Sequence, residues 1–176
     1  MKRLLIVASL LMLAGCAQLM GLANYTLTQA ELQDKLRGQL DDWSQELGQS
    51  LGVRTQIDQL DLRLHDQKAR LKLGGEAALS QMFKAIPLAL QLEVEGRPSL
   101  EGKAVYLRDI KLLTAKADLL GYSGRLGPDT SAMGQWLTRY LNSHPVYRIP
   151  DDSPLAALPL SMEVAEGRLV FRPSKP

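Results

Sequence analysis

The sequence predicts an α+β domain: a strongly curved antiparallel sheet wrapped around a long N-terminal amphipathic helix, with a second helix and a C-terminal hairpin. Three observations predict it. An apolar stripe of helical spacing stands near the start. Period-two alternation follows through most of the middle. Short turn segments separate the alternating runs, and strands joined that way pair antiparallel. One apolar sheet face needs a cover, and the amphipathic helices supply it.

The first helix spans residues 28 to 47. Thr28-Gln29-Ala30-Glu31 is a capping box, in which the Thr28 hydroxyl takes the Glu31 N–H and the Glu31 carboxylate reaches back. Leu32, Leu36, Leu40, Trp43 and Leu47 then form one stripe, with Gln33, Lys35, Arg37, Asp41, Asp42 and Gln45 on the other faces. Gly48 and Gly52 end it.

The period then becomes two. Leu60, Leu62 and Leu64 alternate with Asp61, Arg63 and His65. After His65-Asp66-Gln67-Lys68 the alternation resumes at Ala69, Leu71 and Leu73, which makes a hairpin with one apolar face. Ile86, Leu88, Leu90, Leu92 and Val94 form the next strand, and Arg97-Pro98-Ser99 is expected to break it. Val105 and Leu107 open another. The phase slips at Arg108-Asp109-Ile110, which signals a bulge, and Ile110 through Leu120 continues as a longer strand or a strand pair. Gly121 to Pro128 reads as a loop. Asp129 or Thr130 caps a second helix carrying Met133, Trp136, Leu137, Tyr140 and Leu141, which must end before His144-Pro145. Val146 to Ile149 is extended, and Asp151 to Pro159 is a loop. Leu160, Met162 and Val164, a turn at Glu166-Gly167, then Leu169 and Phe171 make the final hairpin.

Ahead of this domain, Met1-Lys2-Arg3 precedes a short apolar run that ends in Leu13-Ala14-Gly15-Cys16. A positive start, an apolar stretch too short to span a bilayer and small residues before a cleavage point make a secretory signal peptide. The cysteine after Leu-Ala-Gly makes it the bacterial lipoprotein kind. Residues 1–15 are then the cleaved leader, residues 16–24 the lipidated Cys16 and its tether, and residues 25–176 one domain. Cys16 is the single cysteine of the chain, so it forms no internal disulfide. Two or more acyl chains on it would hold the protein stably on a membrane. Ala17, in place of an aspartate, favours the periplasmic face of the outer membrane under the usual lipoprotein sorting rule.

Charge and chemistry narrow the function. Loss of Lys2 and Arg3 with the leader leaves 19 bases against 19 acids. A neutral domain without a basic cluster is a poor partner for nucleic acid. The 2 histidines stand apart: His65 at a turn beside Asp66, and His144 at a helix end, where a positive charge is welcome. Neither belongs to a pattern of metal-ligand spacing, so no metal and no cofactor is expected. Gly121-Tyr122-Ser123-Gly124 lacks the nucleophile-elbow pattern, and the neighbouring acids Asp41-Asp42 and Asp151-Asp152 read as solvated surface. The sequence gives no positive reason for an enzyme. What remains is aliphatic alternation. It describes either a filled core or an elongated apolar cavity lined by Leu36, Leu40, Trp43, Leu62, Leu64, Leu71, Leu73, Leu88, Leu90, Leu92, Trp136 and Tyr140. A cavity implies a phospholipid or fatty-acid ligand; a filled core implies an adaptor for an envelope protein.

Several segments together resemble the YceB-like family of small bacterial lipoproteins. They are Asn24 to Thr28 after the lipobox, Val105-Tyr106-Leu107-Arg108-Asp109-Ile110, Tyr140-Leu141-Asn142 through Pro145-Val146-Tyr147, and Glu163-Val164 through Gly167 to Phe171. The resemblance runs through nearly all of the mature chain. It implies a long helix held by a curved antiparallel sheet, similar to tubular lipid-binding domains that enclose acyl chains, in an outer-membrane lipoprotein without known enzymatic activity. It assigns no ligand residue.

Overall fold

The computed structural model describes residues 24–52, 54–79, 86–119, 122–125 and 132–174. The leader, Cys16, the tether before Asn24 and the Asp129/Thr130 cap lie outside the described residues.

The chain is α+β, and both of its sheets are antiparallel. β1 (Tyr25–Thr28) leads into α1 (Gln29–Arg37) and α2 (Leu40–Leu51). β2 (Arg54–His65), β3 (Lys68–Leu79), β4 (Ile86–Glu101), β5 (Ala104–Leu119) and β6 (Tyr122–Arg125) follow as a meander, each pairing with the next. α3 (Ala132–Ser143) leads to β7 (Tyr147–Arg148), which pairs with β5. A 3₁₀ turn at Pro154–Ala157, capped by Ser153, precedes β8 (Leu160–Ala165) and β9 (Arg168–Pro173). β1 joins that hairpin in a separate three-stranded sheet of order β1-β9-β8.

The capping box at Thr28 forms as expected. Glu31 N–H donates to Thr28 Oγ1 at 3.3 Å, and Thr28 N–H donates to the Glu31 carboxylate at 2.8 Å. The single long helix does not form. The ladder tightens after Leu36, whose carbonyl takes the Gln39 N–H at 3.0 Å in a 3₁₀ step, and Gln39 starts a new helix by accepting from Trp43. Glycine at position 38 weakens helical persistence just there. The stripe survives the break: Leu32, Leu36, Leu40, Trp43 and Leu47 are all buried. α2 runs past Gly48 and stops at Gly52, which takes the left-handed cap conformation at φ +66°.

Other boundaries also shift. β4 runs through Arg97-Pro98-Ser99 instead of breaking there. Its ladder with β3 ends at Gly96, so Pro98 has a neighbour on the β5 side only, and such an edge tolerates a missing N–H. Tyr122–Arg125, expected as loop, pairs with Lys116–Leu119. The opening Tyr25–Thr28, ahead of the first expected helix, is a strand on β9.

The bulge expected near Asp109 is present: Glu95 faces Lys111 and Arg97 faces Arg108, with Asp109 at φ +52°. Further slips leave Leu113 unpaired in β5 and Asp58 unpaired in β2. Each bulge bends its strand and adds twist. Opposite Asp58, a Cβ on Gly75 would stand 2.1 Å from the Gln56 carbonyl oxygen, so only glycine lets the two backbones approach this closely.

The inward rows of the large sheet, such as Leu60–Leu73–Leu92–Ala115 and Leu62–Leu71–Val94, meet the helical stripe in one apolar cluster. Leu27, Leu169 and Phe171 of the small sheet complete it. The outward face carries cross-strand charge: Glu95 accepts from Lys68 at 2.7 Å and from Arg70 at 2.9 Å.

Candidate functional site: the layer between helices and sheet

The outer edge of β2 is occupied by side chains of the helices rather than by another strand. Gln33 and Gln29 of α1 accept the Leu62 and Leu64 N–H groups at 2.9 and 3.0 Å. Ser44 of α2 accepts the Ile57 N–H at 2.8 Å and donates to the Leu40 carbonyl at 2.7 Å, while Thr55 donates to the Ser44 carbonyl. These bonds satisfy backbone groups that an edge strand leaves open and fix α1 and α2 over the apolar face.

Under them, Leu36, Leu40, Trp43, Leu62, Leu64, Leu71, Leu73, Leu90, Leu92 and Trp136 are all buried in the one cluster, and Leu88 and Tyr140 pack against it partly exposed. The candidate lining residues are therefore brought together. Between Leu47, Ile57, Leu73, Leu90, Leu92 and Trp136 the packing leaves about 20 Å³. That is room for roughly one water molecule. Ile57 and Leu47 were not among the candidates. Leu47 lay on the helical stripe, and Ile57 is out of phase with Leu60 because of the Asp58 bulge, a slip visible in the spacing itself.

The seam between α2 and α3 is aromatic. Trp43 meets Tyr140 edge-on with ring centres 5.5 Å apart; Tyr140 stacks on Trp136 at 5.1 Å and on His144 at 4.1 Å. The Trp43 indole N–H is buried and finds no hydrogen-bond partner of normal geometry. It stands close enough to the Tyr140 phenol to favour its ionisation slightly. Burial works the other way and is the largest effect, and the charges of Glu46 and then Asp42 add to it, so the phenol is pushed up. A second aromatic group joins the two sheets: Tyr147 lies against Phe171, and its hydroxyl meets that of Tyr25 at 3.2 Å. Burial there, then Tyr25, push the Tyr147 phenol well up.

The histidines sit as the sequence suggests. His65 lies at the β2–β3 turn with Nδ1 3.3 Å from Asp66, and His144 follows α3 with Nδ1 3.1 Å from the Tyr140 carbonyl. Among the described residues, no group of His, Cys, Asp and Glu has the geometry to hold a metal ion, and no helix is long and apolar enough to cross a membrane. Among the described residues, Gln29, Gln33 and Ser44 beside the apolar layer bond to strand backbone, and Tyr147 pairs with Tyr25.

A family model described as "Protein of unknown function (DUF1439)" matches residues 27–168, from β1 to the first residue of β9. No curated protein matches the chain.

Proposed function

The chain belongs to the DUF1439 family, and we propose that it is a non-enzymatic lipoprotein that binds an amphiphile between its helices and its large sheet. Acylated Cys16 anchors it to the periplasmic face of the outer membrane. On this reading it falls with the YceB-like lipoproteins, and the bulges that bend its large sheet supply the curvature that a tubular lipid-binding domain needs to enclose a ligand. The observation that carries the reading is the α2–α3 seam. There an apolar layer ends at an indole N–H, that of Trp43, which is buried beside the Tyr140 phenol and lacks a hydrogen bond of normal geometry. A buried unmet donor costs about 1–3 kcal/mol. Parting α2 from α3 admits an acyl chain beside Leu90 and Leu92 and lets an oxygen of the ligand's head take the Trp43 proton. Each buried CH₂ adds about 0.8 kcal/mol, so a long chain can offset the loss of helix packing.

Trp43 and Trp136 are the 2 tryptophans of the chain, and both sit at the seam. Intrinsic fluorescence therefore reads the site directly. Titration with a brominated fatty acid is expected to quench both, and the Trp43→Phe and Trp136→Phe variants each to retain quenching of the other. Unquenched emission up to the solubility limit of the probe would rule the reading out.

A second reading draws on the closeness of the packing: a 20 Å³ gap suits a solid core. In that case the protein is an adaptor, and an envelope protein binds its outer surface.

A further inference from the structure

We propose that the end of the three-stranded sheet bearing Tyr25 and Leu158 lies on the bilayer that holds Cys16; this rests on the lipoprotein reading above. The register defines that end. Tyr25 opens β1 opposite Phe171, which faces Met162. Farther along β9, Pro173 faces Leu160, and Ser174 N–H donates to the Pro159 carbonyl at 2.8 Å. Leu158 and Pro159 thus lie towards the same end of the sheet as Tyr25, across β9 from it. The opposite end of the sheet is the β8–β9 turn, where Gly167 N–H donates to the Leu64 carbonyl beside the β2–β3 hairpin.

Exposed large apolar side chains are few among the described residues: Tyr25, Leu113 and Leu158. Leu113 is the unpaired residue of a β5 bulge, so local register accounts for its exposure. Tyr25, 36% exposed, opens an edge strand with its ring partly covered by Phe171, and Leu158, 46% exposed, follows the 3₁₀ turn just before β8; both lie towards one end of the small sheet. The length of the tether selects their partner. Cys16 to Tyr25 spans at most about 30 Å fully extended, so a lipidated Cys16 keeps this end within reach of the bilayer in every orientation. A tyrosine ring, apolar with a polar tip, suits the membrane–water boundary. The contact with Tyr147 aligns the Tyr25 ring, and Leu158 would enter the headgroup layer beside it. The acyl chains supply the hold, and these side chains set the orientation.

The test uses the full-length acylated protein in phosphatidylethanolamine–phosphatidylglycerol vesicles. An environment-sensitive dye is placed at Leu158→Cys or at Glu166→Cys on the far turn; acylated Cys16 does not react. Both positions are exposed, so neither change threatens the fold. The dye at 158 is expected to shift to the blue and to be quenched by spin-labelled phospholipid about threefold or more above the dye at 166. Equal, water-like signals from both sites, in protein that floats with the vesicles and carries the acyl mass, would overturn the proposal while leaving the anchor intact. A mass showing Cys16 unacylated would remove the anchor and the proposal together.

Discussion

Among the described residues Ser44 is the buried polar one, 8% exposed, and its side-chain oxygen ties α2 to the edge of β2 at Ile57. Removing that oxygen in Ser44→Ala leaves the Ile57 N–H facing a methyl group with no acceptor, while the Leu40 carbonyl keeps its place in the helix. Little volume is lost, so the cost is that of an unmet buried donor, about 1–3 kcal/mol. For a chain of this size, each kcal/mol lowers Tm by roughly 2–4 °C. The assay is urea and thermal unfolding of the protein starting at Ala17, with amide exchange at Ile57 as the local reading. An unchanged urea slope with a lower midpoint, and faster exchange at Ile57, is the expected result. Gln45→Ala, one position along on the exposed face, should stay within about 0.5 kcal/mol. A Ser44→Ala midpoint equal to the parent's, with Ile57 still protected, would refute the idea that helix side chains close the β2 edge.

Other expected outcomes follow from the same geometry. Asp66 and Gln67 hold φ of 47° and 60° in the two-residue β2–β3 turn, a conformation that suits Asn-Gly, so Gln67→Gly should stabilise the protein by about 0.5 kcal/mol in urea unfolding. Gly75→Ala forces a Cβ to 2.1 Å from the Gln56 carbonyl, whereas at Gly124 the nearest atom is 3.8 Å away; the first should cost about 3 kcal/mol or more and the second little. Hydrogen bonds from Lys68, then Arg70, hold the Glu95 carboxyl down from 4.5 to about 2. A folded-state value below the unfolded one gives stability that is full above pH 4.5 and lost as pH falls towards 2. The stability gap between the parent and Glu95→Gln should therefore be constant at neutral pH and close across that window; a gap independent of pH down to about 2 would contradict it.

Much of the fold was legible because side-chain period reports which face is buried. The Leu32–Leu47 stripe, the Leu60–Leu73 alternation and the Leu160–Phe171 hairpin each appear where the spacing put them. Period does not report backbone continuity. Leu36 and Leu40 stay on one face whether or not the ladder between them is helical throughout, so the step at Gly38–Gln39 left no mark in the pattern. Tyr25–Thr28 and Tyr122–Arg125 are short strands fixed by distant partners, Phe171 and Lys116 among them, and four residues hold too little alternation to announce themselves. Pro98 looked like a breaker because proline disfavours central strands, and only the register shows that β4 has lost one neighbour there. The interior candidates were legible as apolar residues sharing one layer. The roles of Gln29, Gln33 and Ser44 were not, since polar residues on a helix look alike until the strand beside them is known. The poorly met Trp43 N–H beside Tyr140 likewise exists only in the packed molecule.

The most direct measurement is native mass spectrometry of the protein starting at Ala17, purified from cells without detergent. The account predicts a stoichiometric added mass that fragments as a phospholipid or fatty acid, or one acquired on incubation with such lipids. A clean apo mass that stays unchanged after incubation would contradict ligand binding between helices and sheet and leave the adaptor reading in its place.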